Sequence, residues 1–184
     1  RRQRQMCIRD SPSSGYWAGG KSSSRSSVKK IDYSTETVTN QIPSDVPVTI
    51  YDAGAISAGD KSYLISGVQN GSYKSTTYKL VYSTETWSEI PSRYTVGWQG
   101  KQELQGANAG NGTGYAYGEQ STGNPINGAK ITFASDTWST AYPSTFTSAS
   151  NGTGNLRSST HCYFVGGLGT PSPTYLSNVK KFTY

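Results

Sequence analysis

Two short elements recur four times along this chain, always in the same order and about 50 residues apart. A chain that repeats itself this way does not build one conventional core. The first element is a tyrosine, two mostly apolar residues, then Gly or Ser. It reads Tyr16-Trp17-Ala18-Gly19, Tyr63-Leu64-Ile65-Ser66, Tyr115-Ala116-Tyr117-Gly118 and Tyr163-Phe164-Val165-Gly166. The tyrosines lie 47, 52 and 48 residues apart (16 to 63, 63 to 115, 115 to 163), each preceded by a small residue: Gly15, Ser62, Gly114 or Cys162. The second element reads Lys30-Ile31-Asp32-Tyr33, Lys79-Leu80-Val81-Tyr82, Lys130-Ile131-Thr132-Phe133 and Lys181-Phe182-Thr183-Tyr184. Three copies continue into a polar stretch, Ser34-Thr35-Glu36-Thr37-Val38, Ser83-Thr84-Glu85-Thr86-Trp87 and Ala134-Ser135-Asp136-Thr137-Trp138. Two independent elements in register four times exclude coincidence.

Each element has the character of a strand. Alternate residues of a strand face the same way, so Ile31, Leu80, Ile131 and Phe182 share a buried face with the aromatic residue two positions on. The lysines 30, 79, 130 and 181 then point to the opposite face or lie at the strand mouth. The Ser-Thr-acid-Thr segment suits a tight turn closed by its own side chains, and Trp87 and Trp138 open the strand that follows. The 14 tyrosines and 21 glycines suit strands and tight turns rather than helices. From Val38, Trp87 or Trp138 to the next repeat tyrosine there is room for one more strand, expected at Val48-Thr49-Ile50-Tyr51, Tyr94-Thr95-Val96-Gly97-Trp98 and Ser144-Thr145-Phe146. Four antiparallel strands per repeat make a propeller blade. The expected fold is therefore all-β, a β-propeller fragment of four-stranded antiparallel blades. Residues 15–184 hold about three and a half blades, after a leader at 1–14. An open arc leaves blade faces unpaired, so further blades are expected from other parts of the protein.

Gly19-Gly20 and Gly166-Gly167, followed by the strand aromatic and then by Trp87 or Trp138, resemble kelch repeats. Those are the blades of kelch proteins and of the galactose-oxidase-type propeller. The resemblance covers residues 15 to 184, and it extends to the kelch-like repeats of large extracellular and virion-surface proteins of environmental bacteria and phages. The pattern departs from kelch at Ser66-Gly67 and Gly118-Glu119, at the short step from Tyr82 to Trp87, and at Val38 in the tryptophan position. The resemblance implies a non-catalytic structural or ligand-binding module of a secreted, cell-surface or virion-surface protein, with a glycan or protein partner. It also admits a propeller that presents substrate in a galactose-oxidase-like enzyme whose catalytic residues lie elsewhere. A third reading is an intracellular kelch adaptor that binds a protein partner. Fold alone does not choose among these, because propellers host unrelated activities.

The first residues stand apart. Arg1 to Ser11 is basic and aperiodic, and Gln5-Met6-Cys7-Ile8-Arg9-Asp10-Ser11 resembles the in-frame translation of a transposon-type sequencing adapter. A nucleic-acid-binding arm or the start of a signal peptide would also be basic, but no apolar run follows. The leader's four arginines and one aspartate account for half of the formal +6 charge. The mild excess that remains, with no arginine stripe, does not point to nucleic acid. No stretch approaches the roughly 20 apolar residues that span a bilayer as a helix, so membrane insertion is not expected. Cys162 is the one cysteine outside the leader and has no internal disulfide partner there.

Candidate chemistry is sparse. His161-Cys162 could be metal ligands or a nucleophile and its base. However, Cys162 fills the small-residue slot of the repeat and His161 a polar slot, and neighbouring strand residues diverge. No catalytic residue, cofactor or metal site is expected. Glu36, Glu85 and Asp136 recur once per repeat and are expected to serve the turn or pair with a lysine. The four repeat lysines read as a solvated edge row that discourages strand addition. Asn70-Gly71-Ser72, Asn111-Gly112-Thr113 and Asn151-Gly152-Thr153 match glycan-acceptor triplets, yet Asn-Gly is also a favoured tight turn, the preferred reading.

Ligand contacts are expected where the repeat varies. From the second residue of the Gly pair to the lysine the separation is 10, 12, 11 and 14 residues (20 to 30, 67 to 79, 119 to 130, 167 to 181), whereas the flanking strands barely change. Variable loops on a constant scaffold are the usual place for recognition. The residues expected to touch a ligand are Tyr73, Tyr175, Asn70 and Asn124, aromatic rings and amides among hydroxyls that suit a sugar face and its edge.

Overall fold

The computed structural model describes residues 13–19, 26–40, 42–92, 104–117 and 128–140. Within 150–183 it describes residues 150–151, 154–158, 160–166, 168–169, 174–175, 177 and 179–183. The chain is all-β, and the described residues contain no helix. The second and third copies form complete four-stranded antiparallel sheets. In the second copy the hydrogen-bonded order is Gly54–Ser57, Lys61–Ile65, Thr77–Val81, Thr86–Glu89, and in the third it is Gln105–Asn108, Thr113–Tyr117, Ala129–Thr132, Thr137–Thr140. The first copy contributes Ser14–Ala18, Val28–Asp32 and Val38–Thr39, and the fourth Gly154–Arg157, His161–Val165 and Val179–Thr183. Ser14 is part of the first strand, one residue ahead of the expected boundary. Residues 1–12 of the leader lie outside the described residues.

Register makes the four copies equivalent. Tyr16 faces Lys30, Tyr63 faces Lys79, Tyr115 faces Lys130 and Tyr163 faces Lys181. The small residue before each tyrosine faces the apolar residue of the second element: Gly15–Ile31, Ser62–Leu80, Gly114–Ile131 and Cys162–Phe182. Its smallness has a cause in two copies. A methyl group on Gly15 would sit 2.5 Å from the Tyr33 hydroxyl oxygen, and one on Gly114 2.9 Å from the Phe133 ring.

The strand that completes each sheet is not the one expected from sequence. It is Gly54–Ser57, Gln105–Asn108 and Gly154–Arg157, close in front of the tyrosine strand. Of Val48–Tyr51 only Ile50–Tyr51 is a strand, and it joins a separate small sheet with Val68–Gln69 and Ser72–Tyr73. The other two expected strands, at 94–98 and 144–146, fall outside the described residues. The observed strands were hidden because they are short and carry Gly, Ala and Asn, poor β-formers by themselves. They hold strand geometry through their neighbours, since the first strands of successive copies lie side by side. Leu104 stands against Gly54, and Gly106 against the Ala55 carbonyl oxygen and Ile56, contacts that leave no space for a Cβ.

The core lies between copies rather than within them. Tyr16, Val28, Ile42, Val46 and Ile50 pack with Leu64, Tyr78 and Leu80 between the first and second copies. Ile56, Tyr63, Ile65 and Ile90 pack with Ile131, Phe133 and Trp138 between the second and third. Strand alternation divides the second copy accordingly. Leu64, Tyr78 and Leu80 face back to the first copy, while Tyr63 and Ile65 face forward to the third. A single blade buries neither face, and stacking buries both.

Candidate functional site

The most organised polar constellation repeats at the junctions between copies. The acid of the polar turn sits in a left-handed backbone conformation in three copies, with φ of 54° at Glu36, 51° at Glu85 and 52° at Asp136. Hydroxyl pairs flank it at 2.6–2.7 Å: Thr35–Thr37, Thr84–Thr86 and Ser135–Thr137. In the first copy Asp32 also accepts hydrogen bonds from the Ser34 amide and hydroxyl, and these hold its carboxyl below the usual carboxylate range.

That turn aims the acid at the preceding copy. The Tyr16 hydroxyl donates to Glu85 at 3.1 Å, and Lys30 pairs with the same carboxylate. One copy further on, the Tyr63 hydroxyl donates to Asp136 at 2.6 Å, and Lys79 reaches that carboxylate at 2.5 Å. Lys61 adds a contact at 3.5 Å and donates to the Phe133 carbonyl oxygen at 2.8 Å. The tyrosine rings stack on the aromatic residue of the following copy, Tyr16 on Tyr82 at 5.3 Å and Tyr63 on Phe133 at 5.7 Å. The expected pairing of the repeat acid with a lysine therefore holds for Glu85 and Asp136. The expected solvated lysine edge does not hold for Lys30 and Lys79. They sit on inner strands, and the following copy brings a carboxylate to each.

The electrostatics follow from this geometry. Burial, then the neighbouring carboxylate, raises the Tyr63 and Tyr16 hydroxyls above their ordinary range. Burial works to raise Asp136, but hydrogen bonds from Lys79 and Tyr63 and the charge of Lys61 outweigh it and hold the carboxyl low. The hydrogen bond to Glu85 raises Lys30 despite some burial. These contacts join each copy to the next.

At the histidine–cysteine pair, His161 lies opposite Thr183 and Cys162 opposite Phe182, and the His161 Nδ1 lies 2.7 Å from the Thr160 hydroxyl. Among the described residues no group of three His, Cys, Asp or Glu side chains stands together as a metal site.

The variable loops are partly described. In the second copy the loop forms a hairpin of Val68–Gln69 and Ser72–Tyr73 closed by Asn70-Gly71, both with positive φ (48° and 77°). The Asn70 side-chain oxygen accepts from the Thr49 amide and hydroxyl at 3.2 and 3.0 Å, which ties the hairpin to the segment before Ile50. In the fourth copy Leu168–Gly169 pairs with Thr174–Tyr175 in the same arrangement, with Ser150–Asn151 as the third strand. Tyr73 and Tyr175 occupy the same register position, opposite Val68 and Leu168. Asn124 lies outside the described residues. Asn111 is exposed in the turn before its strand and accepts from the Thr113 hydroxyl at 2.6 Å. Asn151 ends a two-residue strand rather than heading a described turn.

Sequence reasoning did not find the Ile42-Pro43-Ser44 and Ile90-Pro91-Ser92 triplets. Both isoleucines are buried, and the Ser92 hydroxyl accepts from the Trp138 amide at 2.9 Å. Their recurrence was the available signal. Comparison with protein-family models yields no match for this chain, and comparison with curated proteins yields none either.

Proposed function

We propose that the chain is a kelch-like, non-catalytic propeller module that binds a glycan or protein ligand at a cell or virion surface, through hairpins raised on a rigid blade array. The observation that carries this reading is the equivalence of the two hairpins. Tyr73 and Tyr175 hold the same register position on copies two repeats apart, and the Tyr73 side chain is 43% exposed. An exposed ring beside hydroxyls can stack on a sugar face while its neighbours hydrogen-bond the rim. The second copy is tied to both its neighbours by stacked rings and ion pairs, so its loop can vary while the scaffold is kept. A glycan array probed with the chain tests the proposal. Binding that Tyr73→Ala together with Tyr175→Ala reduces at least tenfold supports it. Binding untouched by the double substitution places the ligand elsewhere.

A further inference from the structure

We propose that Asn111 is a site of spontaneous deamidation, its carboxamide attacked by the backbone nitrogen of Gly112, and that the fold protects Asn70 from the same reaction. The sequence holds four Asn-Gly pairs, at 70–71, 111–112, 127–128 and 151–152. Asn70-Gly71 and Asn111-Gly112 lie wholly within the described residues, and both are exposed. A hydroxyl residue follows each, Ser72 or Thr113. Neither exposure nor local sequence therefore separates the two pairs. What separates them is where the carboxamide is tied.

At Asn111 the tie is local. The Thr113 hydroxyl donates to the Asn111 side-chain oxygen at 2.6 Å. A side chain anchored to the second residue ahead is folded back along the amide between them, which brings its carboxamide carbon toward the nucleophile that must reach it. The same hydrogen bond polarises the carbonyl and stabilises the oxyanion that forms on attack. The Gly112 N–H makes no hydrogen bond among the described residues. Gly112 also has a φ of 80° and open space where a Cβ would stand, so the backbone can turn as the ring closes. At Asn70 the tie is remote. The side-chain oxygen accepts from the Thr49 amide and hydroxyl, and the Asn70 amide donates to the Thr49 carbonyl oxygen at 3.0 Å. Swinging that carboxamide onto the Gly71 nitrogen breaks both side-chain hydrogen bonds.

The reaction needs no reactant besides water. The Gly112 nitrogen, its proton lost to solvent, forms a bond to the Asn111 Cγ. The Cγ–Nδ2 bond breaks, Nδ2 takes a proton and leaves as ammonia, and a succinimide remains. Water then opens the ring at either carbonyl, giving aspartate or an isoaspartate whose main chain runs through the side-chain carbon. The isoaspartate lengthens the backbone just before Gly112, whose carbonyl oxygen accepts from the Phe133 amide at 2.9 Å. Phe133 stacks on Tyr63, so ageing at Asn111 acts on the junction of the second and third copies.

Ageing the whole chain in mildly alkaline buffer, with each site followed by peptide mass spectrometry, tests the proposal. In the folded chain Asn111 should convert about tenfold faster than Asn70, yield both aspartate and isoaspartate, and convert faster as pH rises. In urea the two sites should convert at similar rates, because the protection of Asn70 belongs to the fold. Thr113→Val should slow Asn111 several-fold and Thr113→Ser should not, with the slow Asn70 rate in each sample reporting an intact fold. The isoaspartyl form should melt below Asn111→Asp, which carries the new charge on an unchanged backbone. Equal rates in the folded chain overturn the proposal, as does a difference that persists in urea. So do aspartate without isoaspartate, a folded Thr113→Val chain that ages like wild type, or an isoaspartyl form that melts with Asn111→Asp.

Discussion

Replacing Val28 by threonine should stabilise this protein, although it puts a hydroxyl into a fully buried site. The reason lies in two equivalent tryptophans. The Trp138 indole N–H donates to the Thr77 hydroxyl of the preceding copy at 3.0 Å. Trp87 occupies the same place one copy earlier, and its indole N–H is buried without a partner among the described residues. The residue in the Thr77 position of the first copy is Val28, two before its lysine and fully buried in the cluster against which Trp87 packs. A buried N–H left unpaired costs about 1–3 kcal/mol. Threonine has nearly the shape of valine, and position 28 is the equivalent of Thr77, whose hydroxyl meets the equivalent indole. Desolvating that hydroxyl takes back part of the gain, which leaves about 1 kcal/mol. For a domain of this size that is a rise of roughly 2–4 °C in Tm, readable by circular dichroism. Thr77→Val is the mirror experiment and should cost about 1–2 kcal/mol. The control is Trp87→Phe, which removes the N–H. In that background Val28→Thr should lose its benefit, giving a coupling near 1 kcal/mol. An unchanged or lowered Tm for Val28→Thr, or the same gain with and without the indole N–H, would refute the reasoning.

Three further outcomes follow from the junctions. Asp136→Asn keeps a side chain that tolerates positive φ but removes the charge facing Lys61, Lys79 and Tyr63, so stability should fall by about 1–2 kcal/mol in urea titration. The wild-type chain should lose the Asp136 contribution only as pH falls below the ordinary aspartate range, because the folded carboxyl is held low and the unfolded one takes up protons first. At the alkaline end it should lose stability above about pH 10, as unfolded chains release protons from Tyr63 and Lys30 that the folded state retains; the acid limb of the pH–stability curve should flatten in Asp136→Asn. Gly106→Ala should destabilise by about 3 kcal/mol, since its methyl group would run into the Ala55 carbonyl oxygen and Ile56 of the neighbouring first strand; wild-type stability by chemical denaturation would show that the strands can part.

What could be read in advance was local. The Tyr and Lys elements became paired strands at their expected places. The polar turn closed through its own hydroxyls, and Asn70-Gly71 made the tight hairpin its composition demands. The Gly element also behaved as its residues suggest, with positive φ at Gly19 and Gly166, and at Ser66, whose hydroxyl bonds the Lys74 carbonyl oxygen at 2.8 Å. Less legible was the first strand. Gly54, Gly106 and Gly154 each stand nine residues ahead of a repeat tyrosine, a regularity that signals a constrained backbone. Nothing in their own propensity says strand, and Ala55 and Ala107 add little.

The chain by itself determined its period, its strand alternation and which residues share a face, because these depend on neighbours within a few positions. It thereby put Tyr63 and Lys79 on one side of a blade and Leu80 on the other. Tertiary structure alone decided what those faces meet. The partners of Asp136 are Tyr63, Lys61 and Lys79, 73, 75 and 57 positions away, and those of Glu85 are Tyr16 and Lys30, 69 and 55 away. No periodicity encodes such pairings, since they depend on how one sheet stacks against the next. The same stacking turned apparent surface lysines into half-buried donors, drew alanines and glycines into a strand, and buried one indole N–H without a partner among the described residues.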